Sequence, residues 1–136
     1  MRPVIIDTDI LSALMRRESS VVEASGKYIA HFGKFNISII TRYEILRGLK
    51  FKDAKKQIHI FDLFCEMNNL IQITDEIIVK AADIYADLRR DGLLIPDADI
   101  IIASSAIANG MSVATNNQEH FGRIKGLHLQ NWLNKT

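Results

Sequence analysis

Cysteine is nearly absent from the 136 residues: Cys65 stands alone. One thiol excludes a disulfide framework and a cysteine-built zinc site, and it suits a reducing compartment. Proline is as scarce, at two residues, and glycine adds only seven, so no linker or low-complexity stretch divides the chain. Neither sign of charge dominates. Seventeen Lys and Arg against 16 Asp and Glu leave a net charge of +1, so any contact with nucleic acid has to come from a local basic patch. No apolar run approaches the roughly 18–20 residues that cross a bilayer. Asp7 and Asp9 interrupt the apolar stretch near the start, so no signal peptide is expected and a cytoplasmic location is.

What is present suffices for one core. Hydrophobic residues make up 48% and charged residues 24%, which excludes wholesale disorder. A chain of this length is one domain's worth and can bury roughly two-thirds of its unfolded surface. Four short apolar runs read as strands: residues 4–6, 35–40, 70–73 and 111–114, with a short edge strand at 127–129. Continuous β-branched runs suit strands covered on both faces, as in parallel sheets. Between them lie helical patterns. Ile77, Ile78, Ala81, Ala82, Tyr85 and Leu88 form a stripe at 3.6-residue spacing that Gly92 ends. Residues 53–69 carry Ile58, Phe61, Phe64 and Cys65 on one face, with Cys65 expected in the core. Residues 100–108 are nearly all apolar and end in Asn109-Gly110, a C-cap signal. Alternating strands and helices predict an α/β fold with right-handed crossovers.

Ligands of open α/β sheets bind beyond the carboxyl ends of the strands. The polar residues expected there are Asp7-Thr8-Asp9, Thr41-Arg42-Tyr43-Glu44, Pro96-Asp97-Ala98-Asp99 and Thr115-Asn116-Asn117. Three segments thus bring carboxylates to one rim and a fourth brings amides. Carboxylates crowded together repel unless a cation sits among them, and oxygen donors without a His or Cys cluster point to Mg²⁺ or Mn²⁺. Each acid also has a purely structural explanation. Asp9 would N-cap a helix over 10–15, Thr41-x-x-Glu44 fits a capping box, and Asp97 would N-cap a helix whose first turn holds Asp99. Asp7 resists such an explanation, because a charge ending an apolar strand is costly unless paired or solvated.

Five segments in order resemble the PIN-domain ribonucleases of the VapC toxin type: IIDTDILSAL at 5–14, SIITRYEILRG at 38–48, DADIIIASSAIANG at 97–110, VATNNQEHF at 113–121 and GLHLQNW at 126–132. The resemblance implies a three-layer α/β fold over residues 1–136 as a single domain, with a mostly parallel sheet of four to five strands flanked by helices. It implies that Asp7, Glu44 and Asp99 hold Mg²⁺ or Mn²⁺ and that Asn117, at a fourth position often occupied by Asp, orients water or substrate. Thr8, Asp9, Asp97 and Thr115 would orient those acids. Asp9 stands where Asn is common, and Ser104-Ser105 replaces an alanine pair; neither removes a required acid. The implied activity is metal-dependent hydrolysis of RNA, leaving a 5′-phosphate and a 3′-hydroxyl. The implied partners are a structured RNA such as tRNA or rRNA, a VapB-type antitoxin and a second copy of the chain.

Two other functions are consistent with some of these residues. An apolar strand followed by D-x-D also marks haloacid-dehalogenase-type phosphatases, in which Asp7 would be the nucleophile and Asp9 an acid. Such enzymes want a lysine ahead of a late acidic motif, and residues 94–99 supply none. A non-catalytic binding module would keep the acids only as helix caps. Arg16, Arg17, Arg42, Arg47, Lys50, Lys52, Lys55 and Lys56 cluster around two helices, and Arg42, Arg47 and Lys50 are the candidates for RNA phosphates. His31, His59, His120 and His128 lack metal-ligand spacing and are expected to be surface or satisfied polar residues. Trp132 is expected to anchor the end of the chain.

Overall fold

A computed structural model of the chain describes residues 2–133. Its first strand, β1 (Val4–Ile6), is buried along its whole length. Successive side chains of a strand point to opposite faces, so Val4 and Ile6 enter one core while Ile5 enters another. A strand with two buried faces needs helices on both. The first layer consists of α1 (Thr8–Met15), α2 (Ser19–Phe32), α3 (Ile39–Phe51) and α4 (Lys55–Met67). Their Ile10, Leu11, Val21, Tyr28, Ile45 and Phe61 pack against Val4 and Ile6. The second layer consists of α5 (Asp75–Arg90), α6 (Asp97–Ala108) and the short α7 (Gln118–Phe121). Ala81, Ile84, Leu88, Ile102 and Phe121 pack there against Ile5 and Val113.

The remaining strands are β2 (Asn36–Ser38), β3 (Asn69–Ile71), β4 (Ser112–Ala114) and β5 (Leu129–Gln130). All neighbours pair in parallel, in the order β3-β2-β1-β4-β5. The expected α/β architecture is borne out, with the sheet fully parallel. The chain fills the sheet outward from β1 to β3, then returns to the other side of β1 for β4. The strand order therefore switches direction between β1 and β4, where a crevice opens beyond the strand ends.

Several local expectations change. The run at 35–40 is not one strand. Ser38 ends β2, and its hydroxyl accepts from the Ile40 amide at 3.1 Å, so Ile39 and Ile40 open α3. Thr41 and Glu44 consequently lie inside α3 and form no capping box. Helix α4 starts at Lys55 rather than 53, because Asp53 takes a left-handed φ of 52° in the tight turn after α3. Helix α5 ends at Arg90, just ahead of the expected stop at Gly92 with φ 69°, and α6 at Ala108, just ahead of Gly110 with φ 66°. Helix α6 is buried on nearly every side. Its two serines fit there because their hydroxyls bond back to the Ile100 and Ile101 carbonyls at 2.7 and 2.8 Å. Trp132 is the anticipated anchor, buried beside Tyr28 and Phe35. Among the described residues, no helix is long and apolar enough to cross a membrane.

Candidate active site

The crevice between β1 and β4 gathers side chains from four parts of the chain. Asp7 follows β1 directly and is buried. It is also the N-cap of α1: its Oδ1 accepts from the Thr8 amide at 2.8 Å. Its Oδ2 accepts from the Thr115 hydroxyl at 2.7 Å, just past the end of β4. Asp9 is therefore not the cap but a residue of the first turn. Its Oδ2 accepts from the Asn116 amide at 2.9 Å, with the Thr115 hydroxyl 3.4 Å away. Its Oδ1 is buried and has no hydrogen-bond partner.

Glu44 joins the group through Thr8. The Thr8 hydroxyl donates to Glu44 Oε1 at 2.7 Å and lies 3.1 Å from the hydroxyl of buried Thr41. Glu44 Oε2 faces Arg47 at 3.8 Å. Asp99 comes from the first turn of α6, where the helix dipole favours an anion. Its Oδ2 lies 3.0 Å from His120 Nδ1. Asn117 N-caps α7, its Oδ1 accepting from the His120 amide at 3.2 Å while its Nδ2 lies 2.8 Å from His120 Nδ1. Asp7, Glu44, Asp99 and Asn117 are thus tied into one constellation, with Thr8, Asp9 and Thr115 bracing it.

Asp97 behaves differently. Pro96, not Asp97, is the N-cap of α6, and the exposed Asp97 side chain has no hydrogen bond or ion pair among the described residues. Arg42 also departs from expectation. Its guanidinium turns to Asp62 of α4 at 2.9 Å and lies 5.7 Å from the centre of the Phe61 ring, so it fastens α3 to α4. Arg47 and Lys50 remain exposed on α3. His120 was missed as a member of the group, whereas Thr41 stands at the rim as the sequence indicates. The spacing of Asn117 and His120 on one short helix signals a capping contact, but nothing in the sequence signals that α6 brings Asp99 onto the same imidazole.

Burial pushes the Asp7 carboxyl up to about 7, with further upward pressure from the neighbouring charges of Asp9 and Asp99. Burial likewise raises Asp9. This is how a cleft of carboxylates behaves when no cation balances it. Among the described residues, no three His, Cys, Asp or Glu side chains stand as a ready-made cage for an ion. The donor set nevertheless fits Mg²⁺ or Mn²⁺. These ions keep several waters and need only one or two carboxylates, with phosphate oxygens completing the shell. The partnerless Asp9 Oδ1 is the hard oxygen such a site leaves free. The charges of Asp7, Asp9 and Asp99 act on one another across the cleft, while Glu44 is tied to it through the Thr8 hydroxyl.

Comparison with known proteins gives the family. The PIN domain family model matches residues 4–127. Ribonuclease VapC1 of Methanocaldococcus jannaschii is 32% identical over 93% of this chain and 85% of its own length. The tRNA(fMet)-specific endonuclease VapC of Shigella flexneri is 25% identical over 97% of this chain and 99% of its own. Among solved structures, VapBC2 from Rickettsia felis, bound to a DNA fragment from its promoter, superposes with a TM-score of 0.83 at 27% identity. That alignment covers 95% of this chain and 98% of the other. The matched stretch spans the whole acidic constellation, and the chain belongs to the PIN domain family, among the VapC proteins.

Proposed function

We propose that this chain is a Mg²⁺- or Mn²⁺-dependent RNA endonuclease, the toxin of a VapBC-type pair. The observation that carries this reading is the convergence of Asp7, Asp9 and Asp99 on the switch point of the sheet, with Asp7 held by Thr115 at 2.7 Å. Asp7 and Asp99 would hold the ion. Glu44, tethered to Thr8, would complete the site through water. A bound divalent ion supplies an activated water and neutralises charge on the phosphoryl group. The chain's own contribution is orientation: Thr115 fixes Asp7, the Asn116 amide fixes Asp9, and Asn117 stands where substrate or water is aligned. Attack by water leaves a 5′-phosphate and a 3′-hydroxyl. Residues 94–99 hold no lysine to accompany a late acidic motif, which speaks against the covalent nucleophile of a phosphatase.

The VapC relatives support an RNA substrate, and the name of the Shigella relative supports tRNA. Arg47 and Lys50, exposed on α3, would meet its phosphates. The VapBC complexes among the fold's neighbours support a VapB-type antitoxin as partner. A groove of about 540 Å³ lined by Leu11, Leu14, Met15, Val22, Ile60 and Phe64 would take its apolar residues. Ile78 and Tyr85, two turns apart on α5, are exposed and would be covered by a second copy of the chain. Cellular RNA as substrate supports a cytoplasmic location. The test is sequencing of RNA 5′ ends after induced expression. New monophosphate ends at a few positions in structured RNA are expected, and none from Asp7→Asn. Identical ends from the Asp7→Asn variant would overturn the assignment.

A further inference from the structure

Tyr43 precedes Glu44 on α3, yet no step of the reaction above uses it. It is 59% exposed, and its hydroxyl has no hydrogen bond among the described residues. Ile39, Arg42, Tyr43, Leu46, Arg47 and Lys50 follow one another at three- and four-residue spacing, so they share one face of the helix. They line a groove of about 360 Å³. Ile39 and Leu46 are half-buried in it, while Tyr43, Arg47 and Lys50 are exposed. The groove therefore joins apolar walls to cations, with no acid among its lining residues. Arg47 connects it to the acidic cleft. Its guanidinium lies 5.2 Å from the centre of the Tyr43 ring and 3.8 Å from Glu44 Oε2. Tyr85 also has an arginine over its ring, but Arg89 engages its hydroxyl at 2.9 Å, and α5 carries none of the cleft's acids.

We propose that this groove seats an unpaired base of the RNA beside the bond that is cut, with Tyr43 as its stacking platform. The proposal rests on the endonuclease reading and adds to it the part of the substrate that α3 holds. Proteins that recognise RNA favour single-stranded loops, whose bases stack on aromatic rings and on arginine planes. Tyr43 and Arg47 offer both kinds of plane side by side. Lys50 meets the backbone phosphates that accompany the base, and a lining of cations without acids suits such a polyanion. Tyr43 and Glu44 are neighbours on one helix, so a base on the ring belongs to a nucleotide next to the phosphate that enters the cleft. Every base has a π-face, so the stack fixes where the strand sits and not which sequence is cut. Tyr43 is thus a positioning residue that takes no part in the chemistry.

The experiment follows cleavage, by the full chain, of a short synthetic RNA that spans a position mapped by end sequencing. The RNA is made intact and with the base removed at each position in turn. Tyr43→Leu keeps an apolar side chain but removes the ring, and kcat/KM on the intact RNA should fall roughly five- to a hundredfold, the effect of one lost stack. Tyr43→Phe keeps the ring and should stay within about twofold of wild type. Removing one base, next to the cut, should cost the wild-type chain as much and cost Tyr43→Leu nothing further. Full cleavage by Tyr43→Leu overturns the base seat and leaves the endonuclease standing; a weakened antitoxin complex in that variant would give the groove to the antitoxin instead. A Tyr43→Leu loss that is the same at every abasic position also overturns it, and a changed sedimentation coefficient alongside would make the groove a contact between two copies. A wild-type chain that cuts no RNA overturns both the seat and the endonuclease.

Discussion

The Thr115 hydroxyl donates to Asp7 Oδ2 at 2.7 Å and accepts from the Asn117 amide at 2.9 Å. One buried side chain at the end of β4 thus fixes the acid that ends β1 and the loop that carries Asn117. Thr115→Val keeps the shape and deletes both bonds. We expect a stability loss of roughly 1–3 kcal/mol, because two buried partners are left unsatisfied. The lost hydrogen bond lowers the Asp7 carboxyl at present, so its removal should also shift the rise of activity to higher pH. Urea unfolding and a pH–rate profile check the two effects separately.

Asp7 itself gives the metal-free protein a definite pH dependence. Its folded value, about 7, lies above the ordinary 3.8 of the unfolded chain. Between those values the native state keeps a proton that the unfolded state has released, so stability falls as pH rises from about 4 to about 7. Asp7→Asn removes the buried charge. It should be more stable than wild type by roughly 1–3 kcal/mol at pH 8, and the gain should vanish by about pH 4. Denaturant titrations in chelator at pH 4, 6 and 8 measure this. A wild-type-to-variant difference that does not change with pH would show that Asp7 ionises normally.

The acids should differ in how they fail. Asp7→Asn and Asp99→Asn are expected to abolish RNA cleavage, a loss of 1,000-fold or more, on the order of 4 kcal/mol in the barrier. Glu44→Gln should do the same. Thr8→Val, which leaves Glu44 intact but untethered, should cost only about ten- to a hundredfold, as a supporting partner does. Circular dichroism on each variant separates lost chemistry from lost fold. Full cleavage by any of the three acid variants under matched Mg²⁺ would remove that residue from the site.

Most of the fold and the core of the site were legible because each rests on a local signal. Fully apolar β-branched strands indicated a sheet covered twice, and the Asp that ends β1 stood out because charge is costly there. The legible signals fail where one residue serves two elements. Ser38 both closes β2 and caps α3, so Ile39 and Ile40 read as strand by composition but fold as helix. Arg42 looked like part of a phosphate-binding cluster because its neighbours in sequence are basic. Its actual partner, Asp62, lies on another helix and is reached only after α3 and α4 pack. His120 was hidden for the same reason: its link to Asp99 joins α7 to α6, and such contacts have no sequence period.

That difference between Arg42 and its neighbours can be measured. Replacing Arg47 and Lys50 together should weaken RNA binding across sequences and reduce the slope of log K against log salt by about 1–1.5, since each phosphate contact contributes about 0.7 on single strands. Mg²⁺ affinity should stay the same. Arg42→Ala should leave the salt slope alone and lower stability by about 1 kcal/mol, through loss of Asp62 and of the Phe61 contact. A slope unchanged in the Arg47, Lys50 variant would make these residues a solvated face and nothing more.

The last expectation concerns how a partner silences the cleft. With Asp7 raised by burial and by Asp9 and Asp99, the empty cleft is a place where added negative charge is disfavoured and a cation is welcome. A bound antitoxin should therefore place a cation there, and an arginine suits best because its planar fork can bridge two carboxylates. That guanidinium would compete with Mg²⁺ for the same oxygens. It cannot supply most of the affinity, since a partly exposed ion pair contributes about 1 kcal/mol or less. The groove along α1 and α4, with Leu11, Leu14, Ile60 and Phe64, offers the apolar anchorage that does. Leu14→Asp should accordingly weaken the complex at least tenfold without touching the acids. Replacing the partner's arginine with alanine should restore some cleavage while the complex persists, and excess Mg²⁺ should weaken the complex modestly. If the alanine variant inhibits as fully as the original, inhibition is steric, and the charge of the cleft plays no part in it.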